Sequence, residues 1–349
     1  MKRLLRWIGI ALASLAGLGI IAYAVLYILS ERVLRRTYEV PAVALSIPTD
    51  PASIIEGRRL AIVRGCFGGC HGKQAQGMVL FDEPMIARLV APNLTAAVRK
   101  FSDAQLAGAI RNGVRPGGRS MVVMPSEAFV ELSDEDLGRI IAFLKSLPAV
   151  AGPDPSFALG PLGRVGIVTG DVQPVAQLIA EAVPPPDATN EEAVYGRYLA
   201  RSICAECHGT NLRGASTPGI NSPSLQMVAA YSPEAFVRLL RTGVPLGERK
   251  LGMMREMAVD HFSYLTDVEI AETKRQTSVE VWAFCAADYH RLVGDALRSI
   301  VTAYFSHWWH RVASVPPVSQ YRDNNGLHAC NPLNSMVANQ GLEPRTKGL

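Results

Sequence analysis

The chain has 349 residues, enough for two ordinary domains, and 48% apolar with 19% charged residues is the balance of a globular protein. A net charge of +4 with no nucleic-acid motif gives no case for a DNA or RNA partner. Four of the six cysteines fall in two tight clusters, which argues against a disulfide scaffold in a chain this large.

The first predicted element is hydrophobic. Trp7 to Ser30 is a run of 24 residues without a charge. As a helix, Ile8 to Leu29 spans about 33 Å at roughly 1.5 Å per residue, which is bilayer thickness. Tyr23, Leu26 and Tyr27 crowd the far side, so no small-x-small cleavage site ends the run. Residues 1–36 therefore read as an uncleaved anchor with basic flanks, and a cleaved signal peptide is the competing reading.

Next comes a helix opened by Asp50-Pro51, an N-cap with proline at the first helical position, running to Gly65. It leads into Cys66-Phe-Gly-Gly-Cys70-His71. Ser102 with Gln105 predicts a capping box for a helix ending at Asn112-Gly113. Ser133 predicts the cap of a third helix, with Leu137, Ile140, Ile141 and Leu144 on one apolar face and Pro148 after its end. No sustained period-2 pattern predicts a sheet. Residues 149–190 are punctuated by proline and read as a solvated linker with some packing, with an apolar piece from Leu162 to Val172 on a domain surface.

The second cluster is Cys204-Ala-Glu-Cys207-His208. C-x-x-C-H is the attachment signature of a c-type haem: two thiols add to the vinyl groups and the adjacent histidine sits under the iron. Cys66, Cys70 and His71 keep the same order with one extra residue, and Gly68-Gly69 gives the longer loop backbone freedom. Aligning the clusters exposes an internal repeat: Gly57-Arg-Arg-Leu-Ala with Gly196-Arg-Tyr-Leu-Ala, Pro92-Asn-Leu with Pro223-Ser-Leu, Arg111-Asn-Gly-Val with Arg241-Thr-Gly-Val, and Leu132-Ser-Asp with Leu265-Thr-Asp. Two domains are expected, 50–148 and 191–271. The second is expected to be truncated, because Glu272-Thr-Lys-Arg breaks its final apolar stripe after Ile270.

A thioether is the usual sixth ligand where electron transfer is wanted. Met124-Pro125 supplies one in the first copy, with Met121 nearby. Met254 stands at the matching place in the second, with Met257 close by. Residues 272–349 hold three of the four tryptophans and show no repeat. They read either as an appended helical piece or as a change of reading frame near Glu272, and the second is favoured. His307 and His310, at helical spacing, read as an incidental pair.

These motifs resemble those of membrane-anchored di-haem proteins of the class I cytochrome c family. They are similar to the cytochrome subunits that accompany periplasmic alcohol, aldehyde and gluconate dehydrogenases. Arg64-Gly-Cys, Cys70-His-Gly, Cys204-Ala-Glu-Cys-His-Gly, Met124-Pro and Leu132-Ser-Asp-Glu-Asp-Leu carry the resemblance, over roughly residues 50–271. It implies a mainly α fold: an N-terminal transmembrane helix followed by two tandem cytochrome c-like helical domains. It implies two covalent haem c groups, on Cys66 and Cys70 and on Cys204 and Cys207, with axial pairs His71/Met124 and His208/Met254. The expected function is single-electron transfer from a dehydrogenase donor to a cytochrome or terminal oxidase, with no catalytic residue. The expected location is the bacterial inner membrane, single-pass, with the haem domains periplasmic. The alternatives are a haem enzyme with one five-coordinate iron, such as a di-haem peroxidase, or a haem-based sensor.

Overall fold

The computed structural model describes residues 2–41, 44–182, 191–217, 220–247 and 249–277. Most of the 272–349 tail, with His307 and His310, lies outside the described residues. The fold is mainly helical. Helix α1 (Lys2–Leu34) is continuous, and none of its apolar window is buried. Among the described helices it alone is long and apolar enough to cross a membrane.

The first segment is built on α2 (Pro51–Val63), capped by the Asp50 carboxylate, which accepts from the Ser53 N–H at 2.8 Å. After the cysteine cluster the chain makes a hairpin, β1 (Met78–Glu83) and β2 (Ala87–Ala91). Helices α3 (Leu94–Lys100), α4 (Asp103–Asn112) and the single turn α5 (Ser126–Phe129) follow. The Ser102–Gln105 capping box forms, and Gly113 closes α4 at φ 63° in the left-handed region. Helix α6 (Asp134–Ser146) closes the segment, capped by Ser133. It crosses α2 at Gly57, where an added Cβ would lie 1.9 Å from the Arg139 carbonyl oxygen. Leu60, Leu106, Leu137, Ile140, Ile141 and Phe143 form the core between these helices.

One expectation is corrected here. A sheet is present: β3 (Phe157–Leu159) pairs antiparallel with β2, giving the order β1-β2-β3. Every residue of β1 is exposed, so no inward face imposes the alternation by which a strand is read. The packing expected of the linker takes helical form. It forms α7 (Pro161–Thr169) and α8 (Val175–Glu181), and Ile167, Val175 and Ala176 are buried. Pro161 reads as loop punctuation yet occupies the first turn of a helix, where its missing N–H costs nothing.

The second segment repeats the plan. Helix α9 (Glu191–His208) is followed by a short hairpin, β4 (Ala215–Thr217) and β5 (Ile220–Ser222). Then come a 3-10 turn (Leu225–Ala230), α10 (Pro233–Thr242), α11 (Met253–Asp260) and a second 3-10 turn (Phe262–Tyr264). The expected break after Ile270 does not occur. A helix, α12, runs over 267–277 and crosses α9 at Gly196, where an added Cβ would lie 2.7 Å from the Glu272 carbonyl oxygen. Its inward face is polar, with Thr273, Gln276 and Thr277 buried. The helix thus follows the course of α6 as far as the described residues run, with a polar lining in place of an apolar one.

The two segments grip each other reciprocally. Arg59 of α2 pairs with Glu269 of α12 at 2.7 Å, and Tyr198 of α9 bonds to Asp136 of α6. In the repeat Arg59 corresponds to Tyr198 and Asp136 to Glu269, so equivalent positions exchange partners, as across a two-fold axis. Val63 of the first segment is buried in the core of the second. Ala128, Phe129 and Leu132 pack with Ala200, Ala205 and Leu212.

Candidate haem-attachment site

Both cysteine–histidine clusters lie at the ends of the long helices α2 and α9. In the second, α9 carries the whole motif, so Cys204, Cys207 and His208 share one helical face by their i, i+3, i+4 spacing. In the first, α2 stops at Val63 and Gly65 turns the chain at φ 69°. The motif then follows in turns, held by Phe67 N–H to Ala61 O at 3.1 Å and Cys70 N–H to Gly65 O at 3.1 Å. The extra residue fits because Gly69 lies against the Gly65 carbonyl oxygen and the His261 ring, where a Cβ would approach to 2.7 and 3.0 Å.

Beyond the cysteines the two sites are alike. His71 Nδ1 lies 2.9 Å from the Pro92 carbonyl oxygen, and His208 Nδ1 lies 2.7 Å from that of Pro223. A carbonyl only accepts, so each Nδ1 carries the proton and each Nε2 presents a lone pair. Burial lowers both histidine pKa values, with the proline carbonyls opposing it, which favours the neutral ring that a metal requires. Gly72 and Gly209 turn the chain after each histidine at φ 81° and 77°. Gly77 N–H bonds back to His71 O at 2.8 Å, as Gly214 N–H does to His208 O at 2.9 Å. Ala75 and Leu212 both take φ 58°.

Burial pushes the Cys66 and Cys204 thiols up to about 12, and Cys207 up to about 11. The two clusters adjoin. Glu206 acts electrostatically on Cys66 and Cys70, and Cys70 on Cys207. Burial, with Glu127 nearby, raises the Glu206 carboxyl to about 7.

Met124 is half-buried beside α5 and packs in the cluster that holds Cys204 and Ala205. Met254 is in α11 rather than in a loop, and packs with Met257 on the core of the second segment. Counted back from the matched leucines, Met124 stands eight residues before Leu132 and Met257 eight before Leu265. Counted forward from the matched glycines, Met124 and Met254 stand eleven after Gly113 and Gly243.

Three further residues, Arg64 of the Arg64-Gly-Cys motif among them, join the site. Arg64 is buried between the segments, bonding Tyr198 Oη at 3.2 Å and Ser202 Oγ at 3.4 Å. Its Nη2 also lies 3.5 Å from the Asp136 carboxylate, and its Nε and Nη1 have no acceptor among the described residues. His261 places Nδ1 2.6 Å from the Ile62 carbonyl oxygen, closing the C-terminal end of α2 against the first motif. Tyr198 lies beneath the Arg64 guanidinium, 5.9 Å from its ring centroid. Each depends on contacts between segments, which a linear motif does not encode.

Residues 54–148 match the family model described as cytochrome c. The chain carries a cytochrome c domain. The chain is also similar to the fructose dehydrogenase cytochrome subunit of Gluconobacter japonicus, 24% identical over 259 residues, covering 64% of this chain and 53% of that protein. It thus spans about half the length of that curated relative. The matched cytochrome c domain implies covalently bound haem c, and the paired thiols and the oriented His71 fit it. Both comparisons support an electron-carrying cytochrome.

Proposed function

We propose that this chain is a membrane-anchored di-haem electron carrier. Cys66 and Cys70 would hold one group and Cys204 and Cys207 the other, with His71 and His208 as proximal ligands. The observation that carries this reading is the repeated histidine geometry: both rings are held by a proline carbonyl that leaves Nε2 free, and the second pair lies outside the matched domain. Haem c, when bound, supplies one-electron redox chemistry. The protein orients the rings, keeps them neutral and partly covers the Cys66, Cys204 and Cys207 thiols, while Cys70 is exposed. Met124 and Met254 would complete the coordination, so that neither site keeps a position for substrate. Helix α1 would hold the body at the bacterial inner membrane with both sites on the periplasmic side, where covalent haem attachment takes place. The donor would be a dehydrogenase, a reading supported by the name of the relative, and the acceptor a cytochrome or terminal oxidase.

A pyridine haemochrome assay with intact mass tests this. Two covalent haems per chain are expected. One would overturn the di-haem reading, and none would overturn the carrier. Met124→Ala and Met254→Ala should each remove one far-red sulfur-to-iron band of the ferric protein. Loss of that band in Met257→Ala, with Met254→Ala unchanged, would move the second ligand to Met257.

A further inference from the structure

Helix α7 is pinned to α1 at one end of the uncharged run. The Arg164 guanidinium lies 3.9 Å from the Tyr27 ring centroid and donates to Ser30 Oγ at 2.7 Å and to Glu31 at 3.1 Å. Ser30 is buried by this contact, whereas nearly all of α1 before it is exposed. The other face of α7 has no cover among the described residues. Leu162, Val165 and Val168, three residues apart along one face, are 56%, 41% and 40% exposed.

The tip of the β1–β2 hairpin extends this face. Leu162 N–H bonds to Met85 O at 2.9 Å, and Gly160 N–H to Ile86 O at 2.9 Å. Met85 is 53% exposed and Ile86 43%, with Phe81 exposed on β1. Six large apolar side chains thus stand uncovered beside the place where α1 would leave a bilayer. Contiguous apolar surface of this kind marks an interaction site rather than ordinary surface scatter.

We propose that the exposed face of α7 and the hairpin tip form a second, interfacial membrane contact, seated at the headgroup–acyl boundary beside α1. This rests on the reading of α1 as a membrane span. Continuity with α1 selects lipid as the occupant, because Arg164 fixes the patch at Tyr27 and Ser30, where the uncharged run ends and Arg32, Arg35 and Arg36 begin. Those arginines suit headgroup phosphates. Two contacts with one bilayer would hold the haem-attachment segments at a set orientation rather than on a loose tether.

The test uses the full haem-loaded chain in phosphatidylcholine vesicles doped with a diazirine-bearing phosphatidylcholine. After photolysis, labelled peptides are mapped by mass spectrometry. Label is expected on α1 and on peptides covering 78–88 and 157–172. Label on α1 without label on those peptides overturns the proposal and leaves the anchor standing, including the case where a protein covers the patch. Absence of label from α1 as well removes both. In a Leu162→Ser/Val165→Ser variant with unchanged haem content, the 157–172 peptide should lose its label while α1 keeps it. Retained label there would also overturn the proposal.

Discussion

Helices α6 and α12 occupy equivalent places in the two segments. Each carries, two residues after its start, an acid, Asp136 or Glu269, that reaches a partner on the other segment. Each crosses its long helix at a glycine. The linings differ. Ile140, Phe143 and Leu144 are 1%, 4% and 3% exposed, and their counterparts Thr273, Gln276 and Thr277 are 3%, 5% and 3% exposed. Burial is therefore set by the crossing geometry, and side-chain chemistry decides how much stability that burial returns. The first segment gains transfer free energy at these positions. The second carries hydroxyls and an amide there, and Thr273 Oγ1 has no hydrogen-bond partner among the described residues. The attachment motifs show the reverse contrast: a continuous helix in the second segment, a broken and glycine-padded one in the first.

The largest effect is expected at the motifs. A glycine inserted between Ala205 and Glu206 would rotate the rest of α9 by about 100°. His208 would lose Pro223, and Cys207 would leave the face of Cys204. On the proposed two-site reading, haem content by pyridine haemochrome should fall from two per chain to one. Unchanged content would show that the helical motif tolerates an extra residue as the first motif does, and the contrast between them would lose its meaning.

Moving the polar lining into the first segment is the next test. Ile140→Thr removes apolar volume from a filled core and buries a hydroxyl, which should cost about 2–4 kcal/mol in denaturant unfolding. A cost near zero would mean that the segment tolerates a polar closing helix, and the two linings would be equivalent in energy.

Sequence reading reached what local signals specify. Asp50, Ser102 and Ser133 cap helices as their side chains predict, and Gly113 ends α4. The cysteine–histidine clusters stand out in the sequence because their spacing is itself the signal. What escaped depends on contacts far apart in the chain. The β1–β2–β3 sheet has an edge strand with no buried face. Helix α7 is held by Arg164 reaching residues 133 and 134 positions away. The continuation of α12 past Ile270 depends on α9 receiving it at Gly196, which a one-segment hydrophobic pattern cannot reveal.

The exchanged pairs between segments give a smaller and pH-dependent effect. Burial raises the Glu269 pKa, but the Arg59 hydrogen bonds, the Thr266 N–H and the Arg59 charge outweigh it, so the net value is lowered. A depressed folded pKa gives stability that is present above the unfolded carboxylate value and lost as pH falls through the folded one. Glu269→Gln should cost about 2 kcal/mol at neutral pH. It should also flatten part of the stability loss on acidification below the ordinary carboxylate range. An unaltered acid profile would assign that loss to other carboxylates.

The smallest effect has the opposite sign. Thr273→Val keeps shape and removes a buried hydroxyl that lacks a hydrogen-bond partner among the described residues. It should stabilise the protein by about 1 kcal/mol, read as a rise in denaturant midpoint without a change in slope. A buried water satisfying that hydroxyl would reverse the sign, because the substitution would then remove a made hydrogen bond. The direction of the shift therefore tells whether α12 is dry like α6 or hydrated along its polar face. That decides whether the second segment closes by packing or by a polar seam.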